Sequence, residues 1–463
     1  MNSLFLCPNV PYPAVNGGQH RSLRLIRSLA RLGSVRLFAI GDPRGERARQ
    51  AAAAFSQWGV TLETYPPSGP GPAEEDVEST SRLPDAAAHF RSPDLAAGLV
   101  RAVTATRFDV AHVEEVVMAQ YLDTLRCPTV IDRQKVDWAY HEAMALTVPA
   151  GAFGHLQEAA RFRWWERRLA GAFARILVPG ESDRRLLQPL HGPDAVRVVP
   201  IGIGDELAPP AHGGRGVDHV LLYGARDYAP NLEAEAWFFR EVWPGLAAAL
   251  PHLKAVLVGS GRPPLRAARP PSDARVEPRG YVPDIQGVLR GPGVLVVGVR
   301  VGGGARTKIL EAMACGMPVV STSVGVDNLD LVAGRDFLAA DTAAAMIAAI
   351  TSLARDPALA ASVGRAGAAQ AERFRWSRIE PRLEPIYKEA AALTPGAGFE
   401  AAPAAWEPPA EITRLRSEIA ERRHRPLARA TRAVGRLVRR LRLSRPVRSA
   451  ESRALAWLDR RRG

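Results

Sequence analysis

The densest set of residues able to handle an anion lies between Gly302 and Ser321, reading Gly-Gly-Gly-Ala-Arg-Thr-Lys-Ile-Leu-Glu-Ala-Met-Ala-Cys-Gly-Met-Pro-Val-Val-Ser. Three glycines lead into a helix predicted over 306–314. Backbone amides around Gly303 and Gly304 can therefore approach a ligand closely, and the helix dipole points at it, a geometry that favours phosphate. Arg306 and Lys308 place two cations in the first turn, which is unfavourable unless an anion offsets them, so the pattern suggests a diphosphate. Glu311 follows one turn after Lys308, where a carboxylate can accept hydrogen bonds from vicinal hydroxyls such as those of a ribose. Only four of the 61 basic residues are lysines, Lys135, Lys254, Lys308 and Lys388. In so arginine-rich a chain a retained lysine points to a need for a compact ammonium, and Lys308 is the best candidate. The competing reading is a solvated helix with a glycine-rich lead-in, because such loops alone are weak signals.

Two short apolar runs end in polar residues: Asp109-Val110-Ala111-His112-Val113, followed by Glu114, and Pro128-Thr129-Val130-Ile131-Asp132. Ligands of open α/β sheets sit at the carboxyl ends of strands, so His112, Glu114 and Asp132 stand where chemistry can occur. A strand-end capping role is an equal alternative for each. Cys7, Cys127 and Cys315 are scattered, with no Cys-x-x-Cys pair, and predict reduced, buried thiols. The ten histidines form no metal-ligand spacing. Neither a zinc site nor any other cofactor is expected.

The elements that must carry these groups read as alternating strands and helices. Ser3–Cys7 is a strand, Pro8, Pro11 and Pro13 mark a loop, Gly17-Gly18 open a helix ending near Gly33, and Val35–Ile40 is a strand again. This is a βαβ unit of the nucleotide-binding type, without the Gly-x-Gly-x-x-Gly of a dinucleotide site. Val60–Tyr65 is a further strand, and 66–85 is a Pro/Gly/acidic surface excursion. A helix from 154 to 175 carries Phe162, Trp165, Leu169 and Phe173 as a core stripe, with Trp164 off it, either under arginine stems or at an acceptor or membrane surface. The stretch 205–216 is the clearest linker. Beyond it strands at 217–223, 254–259, 293–298 and 318–321 alternate with helices at 232–250 and 306–314, a second parallel α/β domain. Helices over 341–374 close it, a helix over 376–391 can cross back to the first domain, and 392–409 is Ala/Pro/Gly-rich and expected to be mobile.

At 463 residues two domains are the default, and 47% hydrophobic with 24% charged residues is the composition of a soluble globular protein. No stretch has the roughly 18 to 20 apolar residues that span a bilayer, and no secretory leader is read at the N-terminus, so the cytoplasm is expected. The net charge of +13 is concentrated: residues 411–463 hold 17 Arg against five acidic residues. The body is thus near neutral, and no nucleic acid is expected as its partner. The tail alternates Arg with Leu, Val, Ile and Ala, a basic amphipathic pattern suited to an anionic membrane surface; polyanion contact and a solvated extension are the alternatives.

This layout, with Gly17-Gly18, Asp109-Val110-Ala111-His112, Tyr223-Gly224-Ala225-Arg226, Pro230-Asn231, Gly280-Tyr281-Val282-Pro283-Asp284, the 302–321 segment and Ser323-Val324-Gly325-Val326, resembles the GT-B glycosyltransferases, and within them the retaining family 4 (group 1) enzymes of bacterial polysaccharide assembly. The similarity covers residues 1 to about 390. It implies an α/β protein of two Rossmann-like domains facing each other across a cleft: an acceptor-side domain over 1–207, a nucleotide-sugar domain over 216–375, a returning helix over 376–391, and an Ala/Pro linker with the basic tail over 392–463.

The resemblance also implies roles. Arg306 and Lys308 look like the diphosphate ligands, helped by amides at Gly303 and Gly304, and Glu311 like the ribose-binding carboxylate. Arg226 and Asn231 fall in a donor-side motif, Val282 in the segment lining the base pocket, and Gly17-Gly18 would offer N–H groups to the phosphates. His112 is similar to the strand-end histidine near the transferred sugar. Two positions depart from the family. The carboxylate expected eight residues before Glu311 is Gly303, and Glu114 stands where many relatives carry a second histidine. The implied activity is metal-independent transfer of a sugar from a nucleoside-diphosphate sugar to a glycan or lipid-linked acceptor, with retention. Another GT-B enzyme, such as a nucleotide-sugar epimerase, and a non-catalytic scaffold with a polyanion-binding tail are the alternatives.

Overall fold

The computed structural model describes residues 1–68, 84–148, 151–210, 216–261, 271–304 and 306–395. The basic tail, most of the 66–85 excursion and residues 211–215 of the expected linker lie outside them. The chain forms two compact units, Met1–Val199 together with the described residues from Glu380 onward, and Pro200–Ile379. The passages between units thus fall at Val199/Pro200, a few residues before the position read from sequence, and at Ile379/Glu380, a few residues after it. The first precedes the Pro/Gly-rich stretch because Ile201, Ile203 and Leu207 are buried in the second unit's core. The second falls inside the expected 376–391 helix, which divides into Trp376–Ile379, a 3-10 turn Glu380–Arg382 containing Pro381, and Leu383–Ala391. A proline within a helix removes one hydrogen bond and clashes with the preceding turn.

The first unit holds a seven-stranded sheet of β1 (Ser3–Cys7), β2 (Val35–Ile40), β3 (Val60–Tyr65), β4 (Val110–Glu114), β5 (Thr129–Asp132), β6 (Arg175–Val178) and β7 (Val196–Val198). Its order is β3-β2-β1-β4-β5-β6-β7. The second unit holds β8 (His219–Tyr223), β9 (Lys254–Val258), β10 (Val276–Gly280), β11 (Gly293–Val297), β12 (Val319–Ser321) and β13 (Leu338–Ala339), in the order β10-β9-β8-β11-β12-β13. All these pairings are parallel. Both are Rossmann-like sheets whose strand order reverses between the first and fourth strand, leaving a crevice at the carboxyl ends there. Their central strands β1, β4 and β11 are buried along their whole length, as the largely apolar runs of β1 and β11 require, and β4 carries His112 and Glu114 into that buried layer.

Local chemistry sets the helix ends. The helix Gly17–Leu32 starts where the Asn16 side chain accepts from the Gln19 N–H at 2.9 Å, and it buries Leu25, Ile26 and Leu29. The helix expected over 232–250 is continuous in path but widens to a π-turn at Phe238–Val242, directly before Trp243–Ala249. Pro244 explains it, since it has no N–H to give to a regular turn. The 341–374 region divides at Asp356, whose carboxylate caps Pro357–Ala371. The helix expected over 154–175 spans Ala152–Arg168; Phe162 and Trp165 of the stripe lie in it and Leu169 and Phe173 just beyond it, all four buried, while Trp164 packs half-buried beneath the Arg168 guanidinium, 5.4 Å from its ring centre. Among the described residues no single helix is long and apolar enough to cross a membrane, although the bent pair Ala343–Arg355 and Pro357–Phe374 passes by length and composition together.

Candidate functional site

In the second unit the reversal point lies between β8 and β11, and the glycine-led segment converges on it. The helix Thr307–Ala314 starts at Arg306, and the partly buried Lys308 side chain reaches back to the end of β8. Its Nζ donates to the Tyr223 carbonyl at 2.7 Å and to Asn231 Oδ1 at 2.9 Å. Asn231 in turn donates from Nδ2 to the Ala225 carbonyl at 2.9 Å. Burial, then the neighbouring Arg306 guanidinium, pull the Lys308 ammonium down to about 7 against the opposing pull of Glu311. Such a lysine gains its charge readily when an anion arrives. Gly224 makes the approach possible: a Cβ there would lie 2.9 Å from Lys308 Nζ and 2.7 Å from Asn231 Nδ2, at a φ of +148° that favours glycine.

Arg306 is buried, and its Nη1 donates to the Gly303 and Gly304 carbonyls at 2.6 and 3.0 Å. It therefore ties the glycine loop to the helix start. A Cβ on Gly302 would come within 2.1 Å of its Nη2. The Glu311 carboxylate accepts from the Tyr223 hydroxyl; burial pushes it up from the usual carboxylate range while that bond and Lys308 oppose. Tyr223, Asn231 and Lys308, with Gly224, Arg226 and Glu235, line a small pocket of about 30 Å³ at the ends of β8 and β11. Arg226 lies there as half of an ion pair, with Nη2 2.6 Å from Glu235 Oε1. Val282 packs half-buried on the unit's core, while the neighbouring Tyr281 is 70% exposed.

The first unit gathers its candidates at its own reversal point, between β1 and β4. A cavity of about 280 Å³ there is lined by Cys7, Asn9, Asn16, Gly18, Ser22, Glu114, Glu115, Gln134 and Lys135 among others. Gly17 and Gly18 open the helix, and a Cβ on Gly18 would meet Gln134 Oε1 at 2.2 Å. Glu114 is buried; its Oε1 accepts from Ser22 Oγ at 3.0 Å and from Gln134 Nε2 at 2.6 Å. His112 is fully buried and stacked on Phe5 at 4.3 Å, so it acts on the cavity only through what it touches. Asp132 is held by Arg21, Nε at 2.7 Å and Nη2 at 2.6 Å, both side chains buried. It thus braces the helix Gly17–Leu32 against β5 rather than opening into the cavity.

Sequence reasoning missed Tyr223, Gln134, Lys135 and Glu115. Glu115 adopts φ +64°, rare for a non-glycine residue, and burial pushes its carboxyl up to about 8. Its place directly after Glu114 was the one available signal. Cys7, Cys127 and Cys315 are all buried thiols that form no disulfide.

Two family models match the chain: Glycosyltransferase Family 4 over residues 15–207 and Glycosyl transferases group 1 over 218–356. Among solved structures it is similar to HepE of Anabaena in complex with UDP-glucose, at 16% identity, 84% of this chain, 99% of that one and a TM-score of 0.57. A glycosyltransferase from Rickettsia africae matches at 11% identity over 84% and 98% of the two chains, TM-score 0.55. WaaG, a glycosyltransferase involved in lipopolysaccharide biosynthesis, matches at 13% identity over 83% and 99%, TM-score 0.53. No curated protein sequence matches. Two Rossmann-like units, each covered by its own glycosyltransferase model, and the shared architecture of these structures show that the chain belongs to the group 1, family 4 glycosyltransferases of GT-B fold.

Proposed function

We propose that the protein transfers a sugar from a nucleoside-diphosphate sugar, with UDP-glucose the first donor to test, to a hydroxyl of a glycan or lipid-linked acceptor in bacterial cell-surface polysaccharide or glycoconjugate synthesis. The observation that carries this reading is the convergence of Lys308, Arg306 and Glu311 on the ends of β8 and β11. Lys308 and Arg306 meet the diphosphate, with the Gly303 and Gly304 amides beside them, and Glu311 holds the ribose. Val282 lies along the base and Asn231 keeps Lys308 in place. As the anomeric carbon–oxygen bond breaks, negative charge grows on the β-phosphate, and the two fixed cations stabilise it without a metal ion. The acceptor oxygen bonds to that carbon on the same face, its proton passes to the departing phosphate oxygen, and configuration is retained. Glu114 then faces the acceptor in the first unit's cavity. The Arg-rich segment 412–463 brings the protein to an anionic membrane surface.

Full-length protein incubated with UDP-glucose and candidate acceptors tests the reading. UDP release that depends on acceptor and is lost in Lys308→Met supports it, and NMR of the product reads the anomeric configuration. An epimerised nucleotide sugar formed without acceptor, or no binding of any nucleoside diphosphate, overturns it. Sedimentation with phosphatidylglycerol vesicles, comparing the full chain with one ending at residue 395, tests the membrane role; equal binding removes it.

A further inference from the structure

The helix Leu383–Ala391 delivers one buried polar group to His112, behind the Glu114 that lines the first unit's cavity. The Tyr387 hydroxyl lies 2.9 Å from His112 Nδ1, and both residues are fully buried. The other ring nitrogen, Nε2, is 3.5 Å from Glu114 Oε2, and neither of these two atoms has a hydrogen-bond partner within normal range. Glu114 Oε1, by contrast, is saturated by Ser22 and Gln134. The place of the proton on the imidazole is therefore decided by Glu114, since the Tyr387 hydroxyl can either donate or accept. With the proton on Nδ1, the bare Nε2 lone pair would face a buried carboxylate oxygen, acceptor against acceptor, a costly arrangement in a buried setting. With the proton on Nε2, Nδ1 accepts from Tyr387 and Nε2–H points at Glu114.

We propose that Tyr387 is a positioning residue: by donating a hydrogen bond to His112 Nδ1 it supports the Nε2–H form that Glu114 selects, and so holds the Glu114 carboxylate oriented towards the acceptor hydroxyl. Burial pushes the Tyr387 hydroxyl well above its ordinary range, so it stays a donor at neutral pH. What Glu114 meets rests on the glycosyltransferase reading; the proton placement does not.

The test is ¹⁵N NMR of full-length protein labelled at histidine, with the His112 signals identified by their loss in His112→Gln. At pH 7 wild type shows Nε2–H with unprotonated Nδ1; an Nδ1–H form or a doubly protonated ring overturns the proposal. Tyr387→Phe leaves the proton on Nε2 but strips Nδ1 of its donor, which moves the unprotonated Nδ1 signal downfield, and it lowers turnover of UDP-glucose about tenfold, while UDP affinity, set in the second unit, is unchanged. An unaltered His112 spectrum, or UDP affinity lost in step with turnover, overturns it. Should Tyr387→Phe fail to fold, Glu114→Gln decides. Ser22 and Gln134 keep the amide oxygen at the Oε1 position, so its NH2 faces His112 and turns the ring to Nδ1–H. A ring that stays Nε2–H there refutes the coupling. Absence of any sugar transfer would overturn the functional reading and leave the histidine spectra to judge this one.

Discussion

Lys308 makes nucleotide affinity depend on pH in a calculable way. In the free protein its ammonium titrates at about 7 because burial and Arg306 disfavour the charge. About half of the molecules carry that charge at pH 7 and about one in a hundred at pH 9. A bound diphosphate restores the charge, so binding draws in a proton and UDP affinity falls by about fiftyfold between pH 7 and pH 9. Calorimetry at pH 8 in two buffers of different ionisation enthalpy should register uptake of about 0.9 proton per UDP. Lys308→Met removes a charge-assisted hydrogen bond of about 1.5–3 kcal/mol, costs about 10- to 150-fold in affinity at pH 7, and abolishes the uptake. Stability moves in the opposite direction. With the folded value below the unfolded 10.5, the unfolded chain binds more protons between about 7 and 10.5, so the free protein gains stability as pH rises through that window. A flat UDP affinity from pH 7 to 9, or equal proton uptake in wild type and Lys308→Met, would refute this reasoning.

Glu311→Ala should weaken UDP by about five- to thirtyfold, the worth of about 1–2 kcal/mol, while inorganic pyrophosphate binds as before; competition assays with both ligands separate the two. Gly224→Ala sets a methyl against Asn231 and Lys308 at a φ of +148°. Its melting temperature should drop and UDP binding should fail, as differential scanning fluorimetry with and without UDP would show. Asp132→Asn leaves the buried Arg21 guanidinium uncompensated. Urea unfolding should lose about 3–5 kcal/mol, the cost of breaking one side of such a pair.

The alternation of strands and helices was legible because central strands such as β1 and β11 are largely apolar and several helix starts carry a capping or proline signal, as at Asn16, Ser92 and Asp356. The glycine-led segment stood out because glycines, cations and carboxylate lie within ten residues. What stayed hidden depends on contacts across the chain. Asp132 reads as a free strand-end carboxylate until the fold brings Arg21 from 111 positions away. The ion pair of Arg226 with Glu235 could not be read from the donor-side motif alone. Tyr387 is 275 positions from His112, and no periodicity announces that pairing. Strands β6 and β7, of four and three residues, were not read, although β5 and β12 are equally short.

The return of the chain to its first unit orders events during synthesis. Glu380 pairs with Arg24 and Arg31, and Tyr387 with His112, so the domain that leaves the ribosome first is completed by some of the last structured residues to emerge. Pro200–Ile379 is complete in sequence before the helix Leu383–Ala391 that closes the leading unit emerges. A nascent chain stalled before residue 380 would expose an unclosed face to chaperones, and premature termination there would be felt nearly four hundred residues upstream.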